Sequence, residues 1–303
     1  MSIHDFEIVT TSAGAVSIRN KVVNEIMHNP VGPWQEANDL YVRQSRLKDR
    51  LAAVSSKNPE QPLVLFDVGL GAASNALAAI HCALAVYQTR DCQTRGPDNS
   101  KAPPARPLHI VSFENNLSLL EFALQNAAAF PHMTGFETAL RSLLRDLNWK
   151  SPCGMITWEL RPGDFRDVIQ KDAPTLVMPQ LIFFDPYSPS VNREMWTLEC
   201  FQDLFRLTAG ATEPTSLFTY SVATPVRAAF LLAGFYVGFG QATGLKLETT
   251  EVSTSLESLA SPLDARWWER WQRSHKQMPY DAEKFMHQEL INRMTAHPQF
   301  SPL

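Results

Sequence analysis

Apolar positions along this chain recur as short dense runs separated by longer stretches of helical spacing. The runs lie at residues 63–66, 108–113, 155–160, 180–184 and 215–221, and each predicts a buried strand. Between them, apolar residues spaced for one helix face run from Ala72 onward, then over 117–130, 136–147, 163–169, 192–207 and 225–233. Asn192 is placed to cap the 192–207 helix and Gly234 to stop the 225–233 helix. Strand and helix alternate regularly from residue 63 to 234, which predicts a doubly wound, mainly parallel α/β sheet with helices on both faces. Residues 235–239 and 245–249, around Gly240 and Gly244, predict an antiparallel pair at the C-terminal edge, seven strands in all.

Upstream, Phe6, Ile8, Val16 and Ile18 alternate about a break at Ser12-Ala13-Gly14, the pattern of a hairpin. A helix is expected over 34–51 from Trp34, Ala37, Leu40, Tyr41, Leu47 and Leu51. Its second half carries Arg43, Arg46, Lys48 and Arg50, which suit a solvated helix C-terminus. Residues 88–107 are polar, Pro-rich and aperiodic, and read as an exposed insertion. The expected division is an N-terminal extension (1–60), a central domain (61–250) and a C-terminal helical extension (251–303).

Composition narrows the class. The chain has 303 residues, 45% of them hydrophobic, enough for a packed core. A net charge of −4 gives no global basic footprint, so a nucleic acid would need a local patch. Four scattered cysteines without a CxxC, and no metal-ligand spacing among eight histidines, suit a reduced cytoplasmic setting and no metal. No apolar run approaches the roughly 20 residues of a membrane span.

The candidate chemistry sits at strand ends. Asp67, Glu114, Asp164 and Asp185 each fall at or just after a predicted strand, where open α/β sheets bind ligands. Glu114 is placed to accept from ribose hydroxyls, Asp164 from an adenine amino group, and Asp185 to face a reacting centre. After the first strand, Gly69 and Gly71 form a tight turn into a helix, where a Cβ would hinder close approach of a nucleoside. The run Gly69-Leu70-Gly71-Ala72-Ala73-Ser74 has Ser at the third position of the dinucleotide fingerprint. Asp67-x-Gly69-x-Gly71 therefore suits S-adenosylmethionine better than a dinucleotide. Asp185-Pro186-Tyr187-Ser188-Pro189 is a rigid loop similar to the Asp/Asn-Pro-Pro-Tyr loop of amine methyltransferases. An alkyl amine with a pKa near ~10.4 is protonated at neutral pH, and a carboxylate can orient it and help remove its proton.

Taken together, these motifs resemble the methyltransferase family that completes 5-methylaminomethyl-2-thiouridine at the tRNA wobble position. The stretch from Phe66 to Asn75 resembles that family's Gly loop. His109-Ile110-Val111-Ser112-Phe113-Glu114 resembles its second strand and ribose-binding Glu, and Gly163-Asp164 its Gly-Asp pair. The segment from Phe184 to Pro189, followed by Asn192-Arg193-Glu194-Met195-Trp196, is the most specific match. Thr219-Tyr220-Ser221, Val226-Arg227 and Leu232-Ala233-Gly234-Phe235 are also similar. Ala73 stands where the family has Gly, Asp67 where it has Glu, and Lys246 alone where it has a basic run.

The resemblance implies a fold of the class I methyltransferase type and S-adenosylmethionine as cofactor, held by Asp67, Gly69, Gly71, Asn75, Glu114 and Asp164. It implies Asp185 and Tyr187 as the catalytic pair and an aminomethyl uridine in tRNA as acceptor. In many bacteria the domain is fused to a flavin-dependent oxidase; this chain is too short for both and reads as a stand-alone form. Lys246 and a helix over 264–276 are the candidate tRNA contacts. On that helix Arg266, Arg270 and Arg273 share a face, with Trp267 and Trp271 alongside for stacking or for core packing. Methylation of a small amine, and a methyltransferase fold that only binds, remain open as other readings.

Overall fold

The computed structural model describes residues 2–27, 30–53, 61–93, 105–244 and 247–300. The chain is of the α/β class. Its main sheet has eight strands, mostly parallel with antiparallel edge strands, beside a three-stranded N-terminal sheet. It divides into two compact units, Met1–Asp164 and Phe165–Leu303.

The first unit begins with β1 (Phe6–Thr10), β2 (Val16–Asn20) and β3 (Glu25–Ile26), an antiparallel sheet with Ile8 opposite Ile18. The expected hairpin is present with a third strand added. The helix expected over 34–51 is broken. It comprises α1 (Pro33–Glu36), a π-helical stretch Ala37–Arg43, and α2 (Leu47–Ala52), with Arg46 left-handed at φ +52°. Ala37, Leu40, Tyr41, Leu47 and Leu51 are all fully buried, so packing overrides the unbroken periodicity.

Next come β4 (Leu63–Val68), α3 (Ser74–Gln93), β5 (Leu108–Glu114), α4 (Ser118–Gln125), α5 (Glu137–Asp146), β6 (Asn148–Lys150) and β7 (Ile156–Pro162). Strands β4, β5 and β7 are parallel neighbours, and β6 pairs antiparallel with β7. All six residues of β4 are buried, as are Ala76, Leu77, Ala79, Ile80 and Ala83 of α3. The polar segment expected over 88–107 begins later than its composition indicated, because α3 continues to Gln93; residues 94–104 lie outside the described residues. Strand β6 is the eighth strand, where seven were expected. Leu147, at φ +59°, reverses the chain after α5 and sets these three residues against β7.

The second unit contains α6 (Phe165–Lys171), β8 (Leu181–Phe184), α7 (Leu198–Thr208), β9 (Ser216–Thr219), α8 (Thr224–Ala233), β10 (Tyr236–Gly240), β11 (Thr249–Ser253), α9 (Ala265–Gln272) and α10 (His287–Thr295). Strands β8 and β9 are parallel; β11 runs antiparallel to both β9 and β10. The core is aromatic. Phe201 stacks on Phe230 at 3.7 Å, and Phe184 meets Trp196, Phe201 and Phe230 edge-on.

Two expectations shift here. Residues 193–196 form a 3₁₀ turn, and α7 is capped by Thr197, whose hydroxyl accepts from the Cys200 N–H at 3.2 Å, rather than by Asn192. The last strand is Thr249–Ser253, where 245–249 was expected; residues 245 and 246 lie outside the described residues. Its buried polar residues are held by Arg227, whose Nε donates to Thr250 Oγ1 at 3.0 Å and whose Nη2 donates to the Thr249 carbonyl at 2.9 Å. Past β11, Gln299 brackets the β10 edge: its amide donates to Val237 O and its oxygen accepts from Val237 N.

Candidate active site

The first part of the site is built around Glu114, the last residue of β5. Parallel pairing sets Asp67 opposite Ser112 and Val68 opposite Phe113, so the chain leaves β4 beside Glu114. The Gly69 and Leu70 N–H groups both donate to the Phe113 carbonyl, at 3.0 and 3.2 Å. The turn then requires left-handed backbone at Gly69 (φ +89°), Gly71 (φ +55°) and Ala73 (φ +63°). The Gly71 N–H donates to Glu114 Oε2 at 2.9 Å, and the Asn116 N–H donates to Oε1 at 2.9 Å. The Gly163 N–H donates to the Glu114 backbone carbonyl at 2.9 Å, which brings Asp164 to the same strand end. Gly69, Gly71, Glu114 and Asp164 are thus drawn together, with Asn75 in the first turn of α3.

Burial pushes the Glu114 carboxyl above its ordinary pKa, while the N–H groups of Asn116, Gly71 and Asn115 pull it down. A carboxylate offers about four lone-pair sites. Backbone donors do not take all of them, which leaves capacity to accept from a ribose hydroxyl. The turn and this donor set fit a nucleoside cofactor.

Asp67 is placed differently from the expectation. It does not end β4 but lies inside it, fully buried. Its Oδ2 accepts from the Ser112 hydroxyl at 2.8 Å, and Ser112 Oγ accepts from Trp158 Nε1 at 2.9 Å. This chain of hydrogen bonds crosses β4, β5 and β7 just beneath the turn. Ser112 and Trp158 were not singled out from the sequence. A lone Ser within the apolar run 108–113 was the available signal.

Beside the turn, the buried Ser74 hydroxyl lies 3.5 Å from His132 Nε2. His132 stacks on Trp34 with an 11° interplanar angle. The tryptophan expected only as a helix residue therefore helps frame the α3 N-terminus.

In the second unit, Asp185 and Tyr187 follow β8 in one loop and both are partly exposed. Two side chains fix its backbone. Trp196 Nε1 donates to the Tyr187 carbonyl at 2.8 Å, and the Tyr220 hydroxyl donates to the Pro186 carbonyl at 3.0 Å. The Trp196 and Tyr220 rings meet edge to face at 5.5 Å. The Val191 and Asn192 N–H groups both donate to the Ser188 carbonyl, closing the loop as a turn. By spacing Trp196 reads as an apolar residue of the 192–207 helix, and Tyr220 as part of a motif; their hold on the loop rests on tertiary contacts that spacing does not carry.

The helix expected over 264–276 is α9, which ends at Gln272; Arg266 and Arg270 on it, and Arg273 at its C-cap, are exposed. Trp267 and Trp271 are buried, so these rings are not available to stack on a nucleic acid. Trp267 stacks on Phe300, and Trp271 Nε1 donates to the Gln277 carbonyl at 2.8 Å. The amphipathic pattern puts the tryptophans in the core and leaves a face of arginines. Lys246 lies outside the described residues. Among the described residues, no group of three or more His, Cys, Asp and Glu side chains could hold a metal ion. No described helix is long and apolar enough to cross a membrane.

Residues 136–255 match a family described as S-adenosyl-L-methionine-dependent methyltransferase. With the fold and the Glu114-centred turn, this defines the chain as an S-adenosyl-L-methionine-dependent methyltransferase. It is similar to proteins named tRNA 5-methylaminomethyl-2-thiouridine biosynthesis bifunctional protein MnmC. The Chromobacterium violaceum protein is 25% identical over 256 residues, covering 82% of this chain and 34% of that protein. A Pseudomonas fluorescens protein of the same name is 26% identical over 266 residues, covering 82% and 35%. The chain thus spans about a third of the length of these curated relatives. Among solved structures, MNMC2 from Aquifex aeolicus superposes with a TM-score of 0.65 at 21% identity, covering 96% of this chain and 84% of that one, a likeness of fold.

Proposed function

We propose that the chain methylates the amino group of a 5-aminomethyl-2-thiouridine at the tRNA wobble position, with S-adenosylmethionine as methyl donor. The observation that carries this is the Asp185-Pro186-Tyr187 loop, a carboxylate and an aromatic ring on a backbone pinned by Trp196 and Tyr220. The printed names of the curated relatives, which carry tRNA 5-methylaminomethyl-2-thiouridine biosynthesis, support the acceptor.

In this reading Glu114 accepts from the ribose hydroxyls with the lone pairs its backbone donors leave free. Gly69 and Gly71 admit the nucleoside close to the main chain, Asp164 accepts from the adenine amino group, and Asn75 lines the turn. Asp67 supports the turn through Ser112 and Trp158. Bound S-adenosylmethionine supplies an electrophilic methyl group on a sulfonium. The Asp185 carboxylate orients the substrate ammonium and takes a proton from it, freeing the nitrogen lone pair. Tyr187 stacks on the uridine and fixes the direction of approach. The exposed arginines of α9, and Lys246, contact tRNA phosphates.

Methylation of a small amine is the second reading, favoured by the net charge of −4. A competition separates the two. The protein is given radiolabelled S-adenosylmethionine with both tRNA carrying 5-aminomethyl-2-thiouridine and a mixture of small primary amines. Label in the tRNA supports the first reading; label confined to small amines overturns it.

A further inference from the structure

The segment 280–284 in the C-terminal part of the chain reaches back onto residues 193–199, which directly follow the Asp185 loop. Asp281 is buried, and its Oδ1 accepts from the Leu198 N–H at 2.8 Å while its Oδ2 accepts from the Glu199 N–H at 3.1 Å. These are two of the N–H groups that a helix cannot satisfy internally. On one side of Asp281, the Tyr280 carbonyl accepts from the Arg193 guanidinium, which also lies 5.5 Å from the centre of the Tyr280 ring. On the other side, the Lys284 ammonium pairs with the Glu199 carboxylate. The segment therefore holds Arg193, the first residue of the turn Arg193–Trp196, and Leu198 and Glu199, the first residues of α7 that follow it.

We propose that Asp281 is a positioning residue for the Asp185 loop, acting through the α7 N-terminus and Trp196. This rests on the reading of that loop as the acceptor-binding element. Trp196 is fully buried between Phe184, at 5.2 Å, and Tyr220, at 5.5 Å, and its indole N–H holds the Tyr187 carbonyl. Any displacement of the 193–198 backbone moves that N–H, and with it the loop that bears Asp185 and Tyr187. α7 already has a local cap in Thr197. A carboxylate brought in from 83 residues away adds something a local cap does not: it fixes the start of α7 against the C-terminal segment. Burying a carboxylate is costly unless it is hydrogen-bonded, and both oxygens of Asp281 accept from the α7 N-terminus. Arg193, already named in the Asn192–Trp196 motif, is the second tether.

The test compares wild type with Asp281→Ala and Asp281→Asn, the latter keeping one acceptor oxygen in case the Ala variant does not fold. Arg193→Gln loosens the second tether without touching the cap. Three quantities are read: S-adenosylmethionine affinity by calorimetry, kcat and KM on tRNA carrying 5-aminomethyl-2-thiouridine, and hydrogen exchange of residues 187–192. The expected result is an unchanged cofactor affinity, a kcat lower by about 10- to 100-fold in Asp281→Ala, and faster exchange at Val191 and Asn192. Asp281→Asn and Arg193→Gln fall between. Faster exchange confined to 198–201, with 187–192 as in wild type, makes Asp281 a helix cap only and overturns the proposal. Should wild type transfer no methyl to the tRNA, the acceptor reading fails, and exchange at 187–192 still decides whether Asp281 positions the loop.

Discussion

The Gly71 N–H is held by the Glu114 carboxylate at 2.9 Å, across 43 residues of sequence. One acid thus braces the glycine turn, and in the proposed reading the same carboxylate accepts from the cofactor's ribose. In that reading turn geometry and cofactor recognition are coupled in a single side chain.

Glu114→Gln places an amide NH₂ against a backbone donor and removes the charge. S-adenosylmethionine affinity is expected to fall by about tenfold to a hundredfold, read by calorimetry. In the wild type, burial raises the Glu114 pKa. Cofactor affinity therefore weakens on acidification starting above the usual carboxylate range. The effect on cofactor-free stability has the opposite sign: the cost of ionised Glu114 is present above its raised pKa and fades as pH falls through it. Affinity and unfolding measured against pH in parallel check both signs.

Ala73 occupies a left-handed conformation that an L side chain adopts at a cost of about 1–2 kcal/mol. Ala73→Gly is expected to raise stability by about 1 kcal/mol in denaturant unfolding, with cofactor affinity retained. Ala73→Val, at a fully buried position, lowers stability and affinity together.

Trp196→Phe keeps an aromatic ring between Phe184 and Tyr220 but removes the donor to the Tyr187 carbonyl. Turnover is expected to drop by about tenfold while S-adenosylmethionine affinity holds, since a misplaced loop costs rate before it costs cofactor binding. Steady-state kinetics beside calorimetry separate the two.

His297 is buried against Tyr236 and Phe300, and burial holds its pKa down to about 4 from 6.5. Its folded pKa lies below its unfolded one, so the unfolded chain takes up the proton first. Stability from this residue is fully present above pH 6.5 and is lost as pH falls toward 4. The loss amounts to about 3 kcal/mol across that window. His297→Phe flattens this limb of the pH–stability curve.

Strands made of apolar runs, such as 63–66, 108–113 and 180–184, were legible because burial on both faces leaves no polar break. Strand β11 was not, since Thr249, Thr250 and Glu251 are buried polar residues held by Arg227, Ser221 and other tertiary partners. Strand β6 is three residues long and carries no periodicity. The cap of α7 was misplaced at Asn192 because Thr197 follows a 3₁₀ turn that helical spacing cannot separate from the helix. In the site, Gly69, Gly71 and Glu114 were legible from their positions at strand ends. The Asp67–Ser112–Trp158 relay and the grip of Trp196 on Tyr187 exist only once distant segments pack.

The central claim is methyl transfer to an aminomethyl uridine by the Asp185 loop. It is tested most directly by nucleoside mass analysis of tRNA carrying 5-aminomethyl-2-thiouridine after incubation with S-adenosylmethionine and either wild type or Asp185→Ala. The account predicts conversion to 5-methylaminomethyl-2-thiouridine by wild type, and loss of that conversion in Asp185→Ala with cofactor affinity intact. An unconverted nucleoside with wild-type protein, or equal conversion by both proteins, would contradict it.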